Sequence, residues 1–376
     1  MRSKPKPFVK VVQVLPRLHG GGVERGTIEI AGYLKQLGHE AIVISEGGPL
    51  VKELTTLGVV HVKKSVGSKS LRALRGLWEL RKYFNTYRPD IVHSRSRLPG
   101  WLCYFAIKLL PKDIRPRFVT SVQGLHSLSR YSSIIAKGER IEVVSTTAQR
   151  YLLDNYKHVD HKSVRLIHRG VDTSEFNPRV EPSSAWIQEW SQLRQEHQNH
   201  GSPVVSIVGR ISRLKGHHDF LKVIELLHEK NVPAIGLIIG GISKEHNKLH
   251  QELQEKVQKS ETLRSAVRFL GHRSDVREFM SVSDFVVSLS TTPEAFGRTV
   301  LEALSLGVAV VGYDHGGVGE LLRTLFPAGA VPVGNTQVVA DRIKELSSRK
   351  HPIEPHELTL QSMRDKTVAM YEELLC

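Results

Sequence analysis

Short apolar runs alternate with amphipathic stretches along the first half of the chain. Between two such runs, Ile28, Ala31 and Leu34 recur at the spacing of one helix face. The runs that predict strands are Phe8–Leu15, Ala41–Ser45, Asp90–His93, Arg117–Val122, Ile141–Ser145 and Val164–His168. Alternation of strands and helices is typical of a parallel sheet with helices on both faces.

The same alternation begins again after a polar segment, residues 177–202, which predicts a linker and a surface helix. The later runs that predict strands are Pro203–Val208, Ala234–Ile239, Ala266–Leu270, Asp284–Leu289 and Val308–Gly312. The pattern therefore predicts an α/β fold with two Rossmann-like domains, one in each half of the chain.

A length of 376 residues also favours two domains over one core. We place the N-terminal domain at residues 1–176 and the C-terminal domain at 177–355. Residues 356–376 contain an amphipathic helix that either caps the second domain or crosses back to the first.

The basic N-terminus and the cysteine content indicate the compartment. The first apolar run is interrupted by Lys10 and Gln13, so it predicts a strand better than a signal peptide. No run approaches the roughly 20 apolar residues of a membrane span. Two cysteines, Cys103 and Cys376, provide no disulfide framework. We expect a cytoplasmic protein.

The net charge of +15 is concentrated in the first domain. Residues 1–176 contain 30 Lys and Arg against 14 Asp and Glu, whereas the rest of the chain is nearly balanced. Nucleic acid is disfavoured because aromatic residues are 6% of the chain and no binding motif is present. An anionic membrane surface or an anionic acceptor fits better, and a basic face without a partner stays open.

The first candidate motif, Gly20–Gly22, follows the first predicted strand and opens the first helix. Glycine allows close approach of a ligand to the backbone, and a helix N-terminus suits a phosphate. A tight turn without a ligand is equally compatible with these residues.

The second motif, residues 209–216, follows the first strand of the second half. Arg210 and Lys215 lie at the edge of the sheet where such folds bind ligands, and their charges suit a diphosphate. A solvated basic turn is the alternative.

The third motif, residues 293–304, is the most specific. Glu294 and Glu302 are eight residues apart, which in a helix is about 12 Å. Carboxylates accept hydrogen bonds from vicinal hydroxyls, so one carboxylate could bind a sugar and the other a ribose. The amides near Gly297 could bind the phosphates between the sugar and the ribose. The alternative makes both carboxylates ordinary helix charges, although the apolar sequence around Glu302 argues against it.

Together these motifs resemble the retaining glycosyltransferases of family 4, which have the GT-B fold, and the likeness covers nearly the whole chain. Further matches are Gly170–Asp172, Phe269–Gly271, and Gly316–Gly317 with Glu320. The resemblance implies that residues 1–176 form an acceptor-binding domain, that residues 177–355 form a nucleotide-sugar-binding domain, and that the two face across a cleft.

The resemblance also implies roles for individual residues. Arg210 and Lys215 would neutralise the donor diphosphate, Glu302 would hold the ribose, and Glu294 would bind the donor sugar. The remaining donor-binding positions are Gly21, Gly22, Gly271, Phe296, Gly297 and Thr299. No metal and no cofactor are expected, and the donor would be a UDP-sugar, with GDP- or ADP-sugars as alternatives.

Gln123 departs from the family pattern, because relatives have a catalytic histidine after the strand ending at Val122. Glutamine keeps a donor and an acceptor but does not titrate near neutral pH. In front-side attack the departing phosphate acts as the base, so Gln123 is compatible with transfer. His126 could substitute, or could be an ordinary loop histidine.

The acceptor side has weaker signals. Arg95 and Arg97 follow a predicted strand and, with His126, are interpreted as a site for an anionic acceptor. The basic helix predicted at residues 70–84 could rest on the inner face of an anionic membrane. The resulting function is a retaining transferase acting on a lipid-linked or lipopolysaccharide-type acceptor in envelope biosynthesis. Alternatives are a catalytically degenerate scaffold subunit and a GT-B-fold epimerase or hydrolase.

Overall fold

The structure is a computed structural model that describes residues 8–68, 72–195, 202–242, 246–348 and 352–376. The chain divides into two compact units. The first unit comprises Met1–Arg169 with Gln361–Cys376, and the second comprises Gly170–Leu360. The division therefore falls slightly before the predicted boundary at residue 176.

The first unit contains a seven-stranded parallel sheet. Its strands are β1 (Lys10–Val14), β2 (Glu40–Ser45), β3 (Val60–Lys63), β4 (Ile91–Ser94), β5 (Arg117–Val122), β6 (Arg140–Val143) and β7 (Val164–Leu166). Their order across the sheet is β3-β2-β1-β4-β5-β6-β7. The central strands are buried almost throughout, which explains why they are nearly continuous apolar runs.

Helices alternate with these strands. They are α1 (Gly22–Gln36), α2 (Val51–Thr56), α3 (Arg72–Tyr87), α4 (Arg97–Lys108) and α5 (Thr146–Asn155). Helix α3 corresponds to the helix predicted at 70–84, of which residues 70 and 71 lie outside the described part of the chain. None of the helices in the described ranges is both long and apolar enough to cross a membrane.

The second unit contains a six-stranded parallel sheet in the order β10-β9-β8-β11-β12-β13. Its strands are β8 (Val204–Val208), β9 (Ile235–Ile239), β10 (Val267–Gly271), β11 (Phe285–Ser288), β12 (Ala309–Tyr313) and β13 (Ala330–Val331). Its helices are α6 (Ser184–Gln195), α7 (His217–Glu229), α8 (Asn247–Lys259), α9 (Glu261–Ala266), α10 (Val276–Ser281), α11 (Arg298–Ser305), α12 (Gly316–Leu325) and α13 (Thr336–Leu346).

The segment interpreted as a linker with a surface helix is more firmly packed than predicted. In α6, Trp190 is buried and stacks on Trp186, and both rings contact Phe279 of α10. The indole of Trp186 also donates a hydrogen bond to Asp275 at 2.6 Å. Helix α6 is therefore an integral part of the second unit, because two large aromatic side chains anchor it.

The last helix, α14 (Leu360–Leu375), provides the C-terminal segment of the first unit. The Tyr371 hydroxyl lies 2.6 Å from Nδ1 of His93 in β4, and both side chains are fully buried. Arg165 and Glu373 form an ion pair at 2.6 Å. Polar contacts therefore join α14 to strands of the first sheet.

Candidate active site

The main candidate residues of the second unit lie where the order of its sheet reverses. Strand β8 pairs with both β9 and β11. From β8 the sheet therefore extends to one side through β9 and β10, and to the other side through β11, β12 and β13. Lys215 lies in the loop after β8, and Glu294 lies in the loop after β11. Open parallel sheets bind ligands at this switch point, beyond the carboxyl ends of the strands.

Lys215 and Glu294 are in direct contact. The Lys215 ammonium donates to Oε1 of Glu294 at 2.8 Å, and the Ser290 hydroxyl donates to the same oxygen. About a quarter of each charged side chain is exposed, so a ligand can reach the pair. Burial would raise the pKa of Glu294, but the Lys215 charge and the two hydrogen bonds lower the pKa below its ordinary value. The carboxylate is therefore held ionised.

The backbone around Glu294 is supported by the first turn of α12. The Gly317 amide donates to the Glu294 carbonyl at 2.7 Å. A Cβ on Gly317 would lie 2.4 Å from the Cα of Phe296, and Gly316 has a φ of +58° beside the Glu294 backbone. Only glycine fits such close contact between two backbones, which explains the Gly-Gly pair of the motif.

Helix α11 begins immediately after this loop. Gly297 precedes it with a φ of +96°, a conformation that favours glycine, and Thr299 lies half-buried in the first turn. The first amides of a helix have no acceptor within the helix and carry partial positive charge. Phe296 is buried at the base of the loop. The predicted phosphate-binding amides thus lie next to Glu294 in the chain, at the edge of the sheet.

Glu302 lies one turn further along α11 and is mostly buried. Its Oε1 accepts a hydrogen bond from Nε of Arg298 at 2.8 Å. No role for Arg298 is predicted from the sequence, although its i,i+4 spacing from Glu302 is the spacing of a helical ion pair. The structure therefore adds Arg298 to the candidate donor residues.

Two further donor candidates lie apart from these ion pairs. Arg210 is exposed, and no described residue forms an ion pair with it. Gly271 ends β10 with a φ of +67°, and a Cβ there would meet no atom within 4 Å. Both positions are open to solvent, and their roles stay predictions.

The Gly20–Gly22 loop belongs to the first unit, where it joins β1 to α1. Gly20 and Gly21 have φ values of +147° and +156°, and all three glycines are exposed. Helix α1 begins at Gly22. The predicted strand, glycine turn and helix are thus present in the described structure, and a phosphate contact at this turn stays a prediction.

The interpretation of Arg95 as an acceptor-binding residue is wrong. Its side chain is fully buried and forms an ion pair with Glu142 of β6 at 2.6 Å. It also donates to the Gln13 side chain and to the Gly26 carbonyl. A cation enclosed by these internal partners is not available to an acceptor, because its donors already have acceptors within the sheet.

Gln123 lies at the border of this buried cluster, which contains His93, Arg95, Ser121, Glu142 and Arg169. Its amide oxygen accepts a hydrogen bond from Arg169, and its Nε2 lies 3.5 Å from Oε2 of Glu142. These two contacts hold the amide in one orientation. Glu142 and Arg169 are not predicted from the sequence, because they are 19 and 46 residues away from Gln123.

His126 and Arg97 lie further along the same edge and are half-buried. Burial and the Arg97 charge lower the pKa of His126 to about 4, so its imidazole is neutral near pH 7. The Arg97 guanidinium donates to Ser132 at 3.1 Å and lies over the Tyr131 ring. The structure keeps both residues accessible in part, and their acceptor roles stay predictions.

Comparison with known proteins identifies the class of enzyme. The model of the Glycosyltransferase Family 4 matches residues 20–175, and the model of glycosyl transferases group 1 matches residues 188–360. The lipopolysaccharide core biosynthesis mannosyltransferase LpsB of Rhizobium meliloti (strain 1021) is 25% identical over 308 residues, which cover 80% of this chain and 76% of LpsB.

Solved structures of other proteins have the same fold as this chain. A glycosyltransferase from Rickettsia africae ESF-5 has a TM-score of 0.82 and 28% identity, over 98% of this chain and 99% of that chain. Anabaena Alr3699/HepE in complex with UDP and glucose has a TM-score of 0.76 and 18% identity, over 98% of each chain. The Rickettsia protein is named as a glycosyltransferase, and both structures share with this chain the GT-B fold of two Rossmann-like domains. The chain belongs to the group 1 glycosyltransferases of family 4. The predicted family, fold and enzyme class are therefore confirmed.

Proposed function

We propose that this glycosyltransferase moves a sugar from a nucleotide-sugar to a lipid-linked or lipopolysaccharide-type glycan, with retention at the anomeric carbon and without a metal. The observation that carries the proposal is the Lys215–Glu294 ion pair beyond β8 and β11, next to the start of α11. This arrangement offers a cation and helix amides to a diphosphate and an ionised carboxylate to sugar hydroxyls.

In the proposed reaction, the bond between the anomeric carbon and the donor phosphate oxygen breaks as charge develops on the diphosphate. Arg210, Lys215 and the α11 amides stabilise that charge, which lowers the barrier. The acceptor hydroxyl oxygen forms the new bond on the same face of the sugar. Its proton passes to the departing phosphate, so Gln123 need not act as a base.

The donor proposal favours a uridine nucleotide. The Anabaena neighbour was solved with UDP and glucose, and its chain has the same fold. Glu302, held by Arg298, would accept hydrogen bonds from the ribose hydroxyls, which are common to UDP, GDP and ADP. A UDP-sugar is therefore the first donor to test, with GDP- and ADP-sugars as the alternatives.

The acceptor proposal depends on charge and on the relatives. The first domain contains the whole excess of Lys and Arg over Asp and Glu, which suits a phosphorylated or acidic glycan. LpsB, with 25% identity, is named as a lipopolysaccharide core mannosyltransferase. An anionic glycolipid is the acceptor class that fits both observations.

The direct test is a donor screen with and without a membrane lipid extract. We expect release of nucleotide from one of the UDP-, GDP- or ADP-sugars to rise at least about tenfold when the extract is added. Radiolabelled sugar should appear in the lipid fraction. Equal release without acceptor would contradict transfer and favour a hydrolase, and isomerised donor would favour an epimerase.

We also propose that α3 and α4 contact the membrane. Leu74 and Trp78 are one turn apart on α3, and each is more than half exposed. Phe105 and Leu109 are one turn apart at the end of α4 and are nearly half exposed. Arg81 donates to the Leu109 carbonyl at 3.3 Å and so bridges the two helices. We call the four apolar residues the α3–α4 face.

Cations border this face. The Lys108 ammonium lies 5.6 Å from the Tyr104 ring, and Lys137 lies at the same distance from that ring. Arg81 lies 5.8 Å from the ring of Trp78. Aromatic side chains beside Lys and Arg suit the interface of an anionic bilayer, where the rings enter the headgroup region and the cations meet phosphates.

Replacing Trp78 by serine should weaken binding to vesicles of phosphatidylglycerol. Removing an aromatic ring from an apolar contact is worth at least about 1.4 kcal/mol, so the partition coefficient should fall about tenfold in cosedimentation. The matched control is Ile187→Ser, which removes an exposed apolar side chain from α6 of the second unit. Equal losses in the two variants would contradict the assignment of the α3–α4 face.

A further inference from the structure

A polar pocket outside the candidate active site lies in the first unit, beyond the carboxyl ends of β1, β2 and β3. Its volume is about 370 Å³, within the range of small-molecule sites. Its charged side chains are Arg17, Glu46, Lys63, Lys64, Arg75 and Glu79, and Ser65 and Ser68 complete its lining. The pocket therefore lies on the sheet edge where α/β folds bind ligands, and its lining does not include Arg95 or Gln123.

Backbone hydrogen bonds join the loops that form the walls of the pocket. The Lys64 amide donates to the Ser45 carbonyl, and the Glu46 amide donates to the Pro16 carbonyl, each at 3.0 Å. A Cβ on Gly76 would lie 2.0 Å from the Ser65 carbonyl oxygen, so the glycine lets α3 approach this loop closely. The pocket is thus built from packed segments of three loops and one helix.

The charges of the pocket do not balance. Glu46 pairs with Arg17 at 3.4 Å, and Glu79 pairs with Arg75 at 2.7 Å. Within the described residues, no carboxylate forms an ion pair with Lys63 or Lys64. Four cations and two carboxylates leave an excess of two positive charges. A phosphate monoester near neutral pH, with a charge between about −1.5 and −2, complements that excess.

The existing ion pairs would not prevent phosphate binding. More than half of the Arg17 side chain and most of the Arg75 side chain are exposed, and exposed ion pairs contribute little to stability. Both guanidinium groups can therefore turn towards a ligand at small cost. Arginine also binds phosphate oxygens through two parallel hydrogen bonds.

We propose that this pocket binds a phosphoryl group of the acceptor, an inference that rests on the proposed transferase function. Lys63 and Lys64 provide the free positive charge, and Arg17 and Arg75 provide directed hydrogen bonds. Arg75 is on α3, the helix that also contains Leu74 and Trp78 of the α3–α4 face. The pocket and the α3–α4 face thus share one helix, which suits the phosphate of a lipid-linked glycan.

Lysine acetylation measured by mass spectrometry tests the site directly in the full chain. We expect glycerol 3-phosphate to slow acetylation of Lys63 and Lys64 at least about threefold, because two-thirds occupancy leaves one-third of the lysines reactive. Lys52, an exposed lysine of α2, is the internal control and should react at an unchanged rate. Glycerol with chloride at the same ionic strength should protect none of them.

A second arm replaces glycerol 3-phosphate by vesicles containing phosphatidic acid. Protection of Lys63 and Lys64 by the soluble phosphate supports a subsite for a free phosphoryl group. Protection by the vesicles alone, with Lys52 unaffected, supports a lipid-anchored phosphate. Protection by neither probe, or equal protection of Lys52, overturns the proposal. The double variant Lys63→Gln/Lys64→Gln should also bind glycerol 3-phosphate at least about tenfold more weakly in calorimetry, and Lys52→Gln should not.

The same samples separate this inference from the donor proposal. UDP should protect Lys215 in the second unit and should leave Lys63 reactive. Protection of Lys215 by UDP, with no protection of Lys63 and Lys64 by glycerol 3-phosphate or by the vesicles, overturns the phosphate subsite alone. Protection of Lys63 and Lys64 by either phosphate probe, with no protection of Lys215 by UDP, supports the subsite and counts against donor binding.

Discussion

Replacing Lys215 by alanine is expected to lower donor turnover by at least about tenfold, which corresponds to about 1.4 kcal/mol in the barrier. The substitution removes the ammonium that would meet the leaving diphosphate. It also removes the hydrogen bond and positive charge that keep Glu294 ionised, so the pKa of Glu294 should rise. Both effects act on the same reaction step.

Single-turnover kinetics with saturating donor is the appropriate measurement, because it separates the chemical step from donor binding. Lys222→Ala is the matched control, since Lys222 is a half-exposed lysine of α7 that pairs with surface carboxylates of the same helix. Turnover of Lys215→Ala equal to that of Lys222→Ala would contradict the proposed role. Lys215→Arg keeps the charge and should retain more activity than the alanine variant.

The architecture was predictable because buried parallel strands leave a simple signal. Strands such as β8, Val-Val-Ser-Ile-Val, are apolar on both faces and therefore stand out as short runs. Strand β3 is not predicted because Val60-His61-Val62-Lys63, at the sheet edge, has only four residues, none of them buried, and contains no continuous apolar run. Strand β13 has two residues, which is too short for a periodic pattern.

Only those features of the candidate site that depend on the order of strands, helices and loops along the chain could be predicted from the sequence. The positions of Lys215 and Glu294, each after a strand, follow from the alternation of elements, but β8 and β11 are neighbours only in the folded sheet, and the ion pair joins residues 79 apart. Arg95 shows the limit more clearly. Because Arg95 follows a strand, the sequence predicts that its side chain lies at the ligand-binding edge. Its partner Glu142, however, is 47 residues away in the chain and holds the guanidinium in the interior. Only the folded sheet determines whether such a side chain lies at the ligand-binding edge or in the interior.

That buried cluster provides the largest expected effect on stability. Glu142 is fully buried and lies against two guanidinium groups, Arg95 at 2.6 Å and Arg169 at 3.9 Å. Burial lowers the pKa of His93 well below its ordinary value, so it adds no charge. Glu142 thus faces two buried arginines at once. Glu142→Gln should lower the free energy of unfolding by about 3 to 5 kcal/mol, because it removes the carboxylate that pairs with the buried Arg95 at 2.6 Å.

The sign of the pH dependence follows from the same pair of charges. Burial would raise the pKa of Glu142, but Arg95, Arg169 and the Ser121 hydrogen bond lower it to about 2, below the ordinary 4.5. The stabilisation due to this carboxylate is therefore complete above pH 4.5 and is lost as the pH falls towards 2. The difference between the native protein and Glu142→Gln should accordingly shrink on acidification.

A double-mutant cycle distinguishes lost charge balance from a general packing defect. Arg95→Met leaves Glu142 with Arg169, so charge is still balanced, although Gln13 and Gly26 lose a donor. The double variant Arg95→Met/Glu142→Gln should lose less stability than the two single losses added together, by about 2 kcal/mol. Urea unfolding, with hydrogen exchange of β4–β6 peptides to follow the first unit, measures these differences. Strict additivity would show that the two charges do not interact, and would refute the view that Glu142 is retained to balance the arginines of this sheet.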